Sequence, residues 1–132
     1  MSQNDLVMKI GELILSDSAV RAASWDALSF VATIQPGHLQ RTGYRFLATE
    51  WEGLQLEEYS LELFDSLQEL QDAMAAETGN RWKQALIHIT RPGPEIDIQF
   101  EYDDPTRWSL KKVSLDLADY AESLRPPVQT SN

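Results

Sequence analysis

Residues 81–108 read Arg-Trp-Lys-Gln-Ala-Leu-Ile-His-Ile-Thr-Arg-Pro-Gly-Pro-Glu-Ile-Asp-Ile-Gln-Phe-Glu-Tyr-Asp-Asp-Pro-Thr-Arg-Trp. Two strand patterns flank a Pro92-Gly93-Pro94 turn. Ile96, Ile98, Phe100 and Tyr102 alternate with Asp97, Gln99 and Glu101. A period of two puts the two sets on opposite faces of a strand. The apolar set is expected on a core. The polar set is expected in water, running on into Asp103 and Asp104. Pro94 has no N–H to close a tight turn, so an open or wider turn is expected. A wet, acidic sheet face suits a basic partner better than it suits catalysis.

Upstream of this hairpin lies the clearest helix. Leu63, Phe64, Leu67, Leu70 and Met74 share one face, with Glu62, Asp65, Glu69 and Asp72 largely off it. Ser60 is the expected N-cap and Gly79 the C-terminal stop. Before it come two alternating stretches, Trp25–Ile34 and Tyr44–Thr49, separated by the Gln35-Pro36-Gly37-His38 turn. A short third strand is expected around Leu54 to Glu57. A first helix is expected from an Asn4 N-cap, with Leu6, Ile10, Leu13 and Ile14 as its apolar stripe. Ser16 to Ser24 is polar and small. After Asp104-Pro105 the pattern weakens, although Leu117, Tyr120, Ala121 and Leu124 fit one short helical face.

This order predicts a single α+β domain over residues 1–125, with a disordered tail over 126–132. It is a two-layer sandwich, an antiparallel sheet with helices packed on one face. The helix stripe is expected to pack on Phe30, Ile34, Phe46, Ile87, Ile89, Ile98 and Phe100.

The chain has 132 residues and 42% hydrophobic content, enough for one ordinary core. It has no cysteine, which excludes disulfides, thiolate metal sites and a Cys nucleophile. Residues 1–5 carry no basic segment and no long apolar run follows, so neither a secretory signal nor a membrane span is expected. The expected address is cytoplasmic. The formal net charge of −10 makes nucleic acid and anionic membranes poor partners. Between Arg45 and Arg81 there is no Lys or Arg, while nine acids accumulate, from Glu50 to Glu77. This is either a solvated surface or a patch for a cationic protein.

No catalytic constellation emerges. His88 reads as a polar position on the outer hairpin face, and His38 as a solvated turn residue. There is no His-rich metal motif, nucleophile elbow or phosphate-binding glycine loop. No catalytic, cofactor or metal site is therefore expected. The Glu101-Tyr102-Asp103-Asp104 cluster reads better as the end of an acidic recognition edge than as a metal site. Of the four tryptophans, all near element ends, Trp51 and Trp108 are candidate partner anchors. The candidate partner-binding set is Asp97, Glu101, Asp103, Asp104, Glu57, Glu58, Trp51 and Trp108.

Leu63-Phe64-Asp65-Ser66-Leu67-Gln68-Glu69-Leu70, then a polar turn, Trp82, an alternating strand, a Pro/Gly turn and Ile96-Asp97-Ile98-Gln99-Phe100-Glu101-Tyr102 resemble the YezG-like immunity protein family. Trp25-Asp26 ahead of the first strand is similar to that family too. The likeness covers about residues 4–104. The link from Ser16 to Ser24 and the tail beyond Pro105 are longer than the pattern. The resemblance implies a small cytosolic protein that binds a cognate bacterial toxin, often a nuclease, and blocks it by stoichiometric occlusion. A monomer or a homodimer fits that role. The competing reading is an acidic homodimer similar to type III secretion chaperones, which hold an effector segment in extended form.

Overall fold

The computed structural model describes residues 2–109 and 117–126. The elements are α1 (Gln3–Ser16), α2 (Ser18–Arg21), β1 (Ala27–Gln35), β2 (His38–Leu47), β3 (Glu50–Gly53), α3 (Ser60–Thr78), β4 (Gln84–Thr90), β5 (Glu95–Glu101) and α4 (Leu117–Ser123). The five strands form one antiparallel sheet in the order β3-β2-β1-β4-β5. The fold is a single α+β domain.

Helix α1 begins two residues earlier than an Asn4 cap requires. Ser2 is its N-cap, and Ser2 and Asp5 exchange side-chain and backbone hydrogen bonds in a capping box. Leu6, Ile10 and Ile14 are buried beneath it. Helix α3 starts at Ser60, but Tyr59 holds the cap position and makes no side-chain capping bond. The Ser60 hydroxyl accepts instead from the Arg41 guanidinium. Gly79 ends α3 as expected, in the left-handed conformation with φ of 80°. The third strand lies at Glu50–Gly53, earlier than expected, and is an edge strand paired with the end of β2.

Helices α1 and α3 lie together on one sheet face. Beneath them Leu28, Phe30, Ala32, Ile34, Ala85, Ile87 and Ile89 join Leu63, Leu67, Leu70 and Trp82 in the main core. Phe64, Met74, Ile96, Ile98 and Phe100 are half-buried around it. The alternation of β5 therefore has the expected sense, with Asp97 and Gln99 exposed on the other face.

Phe46 does not belong to this face. The Pro36-Gly37 turn has two residues, so Gln35 pairs with His38 and the ladder sets Ala27 beside Phe46 and Phe30 beside Gly43. Phe46 thus packs on the opposite side with Ala27, Val31, Tyr44 and Leu86. Gly43 is required where it stands. A Cβ there would lie 2.6 Å from both the Phe30 ring and the Leu54 carbonyl.

The opposite face has its own cover. Ala121 of α4 and Leu124 just after it are buried against it, with Tyr120, Trp51 and Trp108 half-buried alongside. The one-face arrangement thus holds for α1 and α3, and α4 adds a small cap on the other side. The side chain of Leu117 lies outside the described residues. Of the tail expected from 126 onward, Pro126 is buried and 127–132 lie outside the described residues.

Candidate interaction surface

The expected acidic set is not one patch. Glu57 and Glu58 sit between β3 and α3, whereas Asp97 and Glu101 lie on β5, at the far edge of the sheet. Asp103 and Asp104 follow β5 and are exposed.

Glu101 is committed to its own chain. Its Oε2 accepts from the backbone N–H groups of Asp103 (2.9 Å) and Asp104 (3.1 Å), and its Oε1 pairs with Arg107 at 2.9 Å. These backbone donors, then the guanidinium, lower its pKa to about 2. The carboxylate shapes the turn. Asp104 continues the job, accepting from the N–H and hydroxyl of Thr106. Asp97 is exposed and stands beside His88 in the β4–β5 ladder.

Glu57 and Glu58 are exposed as side chains and held as backbone. The fully buried Asp17 accepts from the N–H of Glu57, Glu58 and Tyr59, and also caps α2 through Ala19. Burial pushes the Asp17 carboxyl up, but these four donors outweigh it and hold the pKa below the usual value. Ser18 returns bonds to both glutamates. Asp17 lay in a stretch that read only as a small polar link. An Asp alone cannot reveal from sequence that three donors 40 residues away converge on it.

The largest acidic feature is the outer stripe of α3. Glu62, Asp65, Glu69 and Asp72 recur at i, i+3, i+7 and i+10, and all are exposed. Arg81 pairs with Asp72 at the C-terminal end, and Gln3 of α1 donates to Glu77. The stripe begins next to Glu57 and Glu58.

The tryptophans divide. Trp25 and Trp82 are core, and the Arg91 guanidinium stacks 4.0 Å from the Trp25 ring centre. Trp51 is half-buried, edge-on to Tyr44 at 5.6 Å. Trp108 is half-buried under Arg107, its N–H donating to Gln84 and its carbonyl accepting from Tyr120. Both candidate anchors help seat the second face.

His88 corrects the sequence reading. It is buried, because β4 faces the C-terminal segment on that side. Its Nε2 has no hydrogen-bond partner among the described residues. Burial lowers its pKa, opposed by the Asp97 carboxylate and the Leu124 carbonyl. Gln84 was also missed. Fully buried, it donates to Thr33 and Ser109 and accepts from Trp108, and so ties the 105–109 loop to the sheet. Tyr120, whose pKa burial raises to about 12, and Arg125, which donates to the Ala48 carbonyl, complete the seam.

An open groove of about 650 Å³ runs between the β1–β2 turn and α3, lined by residues that include His38, Leu39, Gln68 and Arg81. Gln71 in its wall is spent on the carbonyls of Ile34 and Trp82. Among the described residues, no group of three or more His, Asp or Glu could hold a metal ion. No described helix is long and apolar enough to cross a membrane. A comparison with protein-family models found no match, and a comparison with curated proteins found none either. The YezG-like resemblance therefore rests on the residues quoted for it.

Proposed function

We propose that this chain is an immunity-type binding protein that neutralises a basic bacterial toxin, in the first instance a nuclease, by stoichiometric occlusion. The observation that carries the reading is the segregation of charge. Nothing between Arg45 and Arg81 is cationic, and six of the nine acids of that interval line the exposed stripe of α3 and the Glu57-Glu58 loop. A nuclease presents a basic surface to hold phosphate. An acidic ridge on a rigid helix competes for that surface and steers association, up to about 10⁸–10⁹ M⁻¹s⁻¹ at low salt. Asp97 and Asp103 add charge at the other sheet edge. Glu101, Trp51 and Trp108 act instead by shaping the surfaces around them.

The test titrates the purified chain with the toxin domain encoded beside it and assays that toxin in parallel. The expected result is a one-to-one complex that abolishes toxin activity and forms more slowly as salt rises. Reversing Glu62 and Glu69 together to lysine should slow association without changing the melt. The reading fails if the parent neither binds nor protects. Capture of an extended effector segment by a homodimer of this chain would transfer it to the secretion-chaperone class.

A further inference from the structure

Strand β5 closes one edge of the sheet. The direction of its backbone groups follows from the ladder. The Ile34 N–H donates to the Lys83 carbonyl, and the Arg91 N–H to the Asp26 carbonyl. Odd-numbered residues of β4 thus aim their backbone at β1. Even-numbered Gln84, Leu86, His88 and Thr90 aim at β5, opposite Glu101, Gln99, Asp97 and Glu95. The N–H and C=O groups of Ile96, Ile98 and Phe100 are left pointing out of the sheet. No described residue bonds to them.

An open strand edge is a template for another strand. The side chains along this one say what kind. Glu95, Asp97 and Gln99 are exposed on one face. Ile96, Ile98 and Phe100 are half-buried on the other, at the rim of the main core. A second copy pairing antiparallel about Ile98 would set Glu95 opposite Glu101, and each copy carries a formal charge of −10. Like charges directly opposite destabilise a pair. A strand that alternates basic and apolar residues meets the reverse situation on both faces.

We propose that β5 is a docking edge, and that its occupant is an extended segment of a basic protein that adds as a sixth strand. Its Lys or Arg side chains lie over Glu95 and Asp97, and its alternate apolar side chains extend the core beside Ile96, Ile98 and Phe100. The inference rests on the basic-partner reading above and adds to it the mode of binding.

The experiment uses the full isotope-labelled chain and a blocked ten-residue peptide of alternating lysine and valine, at low salt. Amide hydrogen exchange at Ile96, Ile98 and Phe100 should slow at least tenfold on saturation. The matching glutamate–valine peptide should leave it unchanged. Asp97→Lys combined with Gln99→Lys should weaken binding at least tenfold. Ile98→Pro removes one outward N–H and spares the β4 ladder, so it should also abolish the protection. A melt checks that this variant folds. If it does not, the double-lysine variant decides. Peptide contacts confined to the α3 stripe would overturn the docking edge and leave the basic-partner reading standing. No binding by the parent would overturn the docking edge, while the toxin titration judges the partner reading separately. Protection that grows with protein concentration alone would make a second copy the occupant and sink the proposal.

Discussion

The two faces of this sheet are held by different physics. Beneath α1 and α3 the contact is mainly apolar, with Phe30, Ile87, Leu63, Leu67 and Trp82 fully or nearly fully buried and Gln71 of α3 bonded to the Ile34 and Trp82 carbonyls. On the other face a smaller apolar cluster around Phe46 is stitched by polar groups, namely Gln84, Tyr120 and Arg125. Apolar burial is non-directional and tolerates small shifts, whereas a buried polar seam stands only if each partner is in place. The first face makes the fold. The second attaches the C-terminal segment to it.

Breaking the first face should have the largest effect. Phe30→Ala should lower unfolding free energy by about 3–5 kcal/mol in a denaturant melt, through lost transfer energy and a residual cavity. A loss under 1 kcal/mol would mean that the helix layer does not dominate stability.

Gln84→Ala probes the seam. Removing its amide strands the Thr33 and Ser109 hydroxyls and the Trp108 N–H, at a cost of roughly 1–3 kcal/mol. Limited proteolysis should then cut within 105–125 before it cuts α1 or α3. Uniform cleavage would show the two faces to be one cooperative unit.

His88 makes the comparison sensitive to pH. Its folded pKa is lowered below 6.5, so the neutral ring is the form the fold prefers. That stability is fully present above pH 6.5 and is lost as pH falls through the lower folded value. The chain should melt progressively earlier in that window, and His88→Leu should flatten the dependence. A parent and variant with the same slope would remove His88 from the account.

Asp97→Lys should do least, about 0–1 kcal/mol, because an exposed charge is screened by water. It removes the carboxylate that opposes the lowering of the His88 pKa, so the His88 titration followed by NMR should shift further down. An unmoved titration would disconnect the two residues.

The helix layer was legible because its periodicity is long and clean. The stripe of α3, the Gly79 stop, the alternation of β5 and the α+β class all follow from spacing alone. The side of Phe46 was legible in principle, since a two-residue turn sets the parity of the pairing, but alternation within one strand does not state it. The acidic candidates were legible as acids and not as a group. Asp97 lies on the edge strand β5 whereas Glu57 lies in the link between β3 and α3, and the N–H donors of the next turn engage Glu101.

The sequence by itself determined the two long helices, the strands of the β4–β5 hairpin, the excess of negative charge and the two-sided pattern of β5, since each depends on neighbours within a few residues. Only the tertiary structure decided what becomes of Asp17, Gln84 and His88. A carboxylate that gathers three N–H donors from 40 residues away, an amide that binds a distant loop and an imidazole that loses its water owe their states to partners far along the chain. Burial and hydrogen bonding are properties of the assembled surface, and no local spacing encodes them.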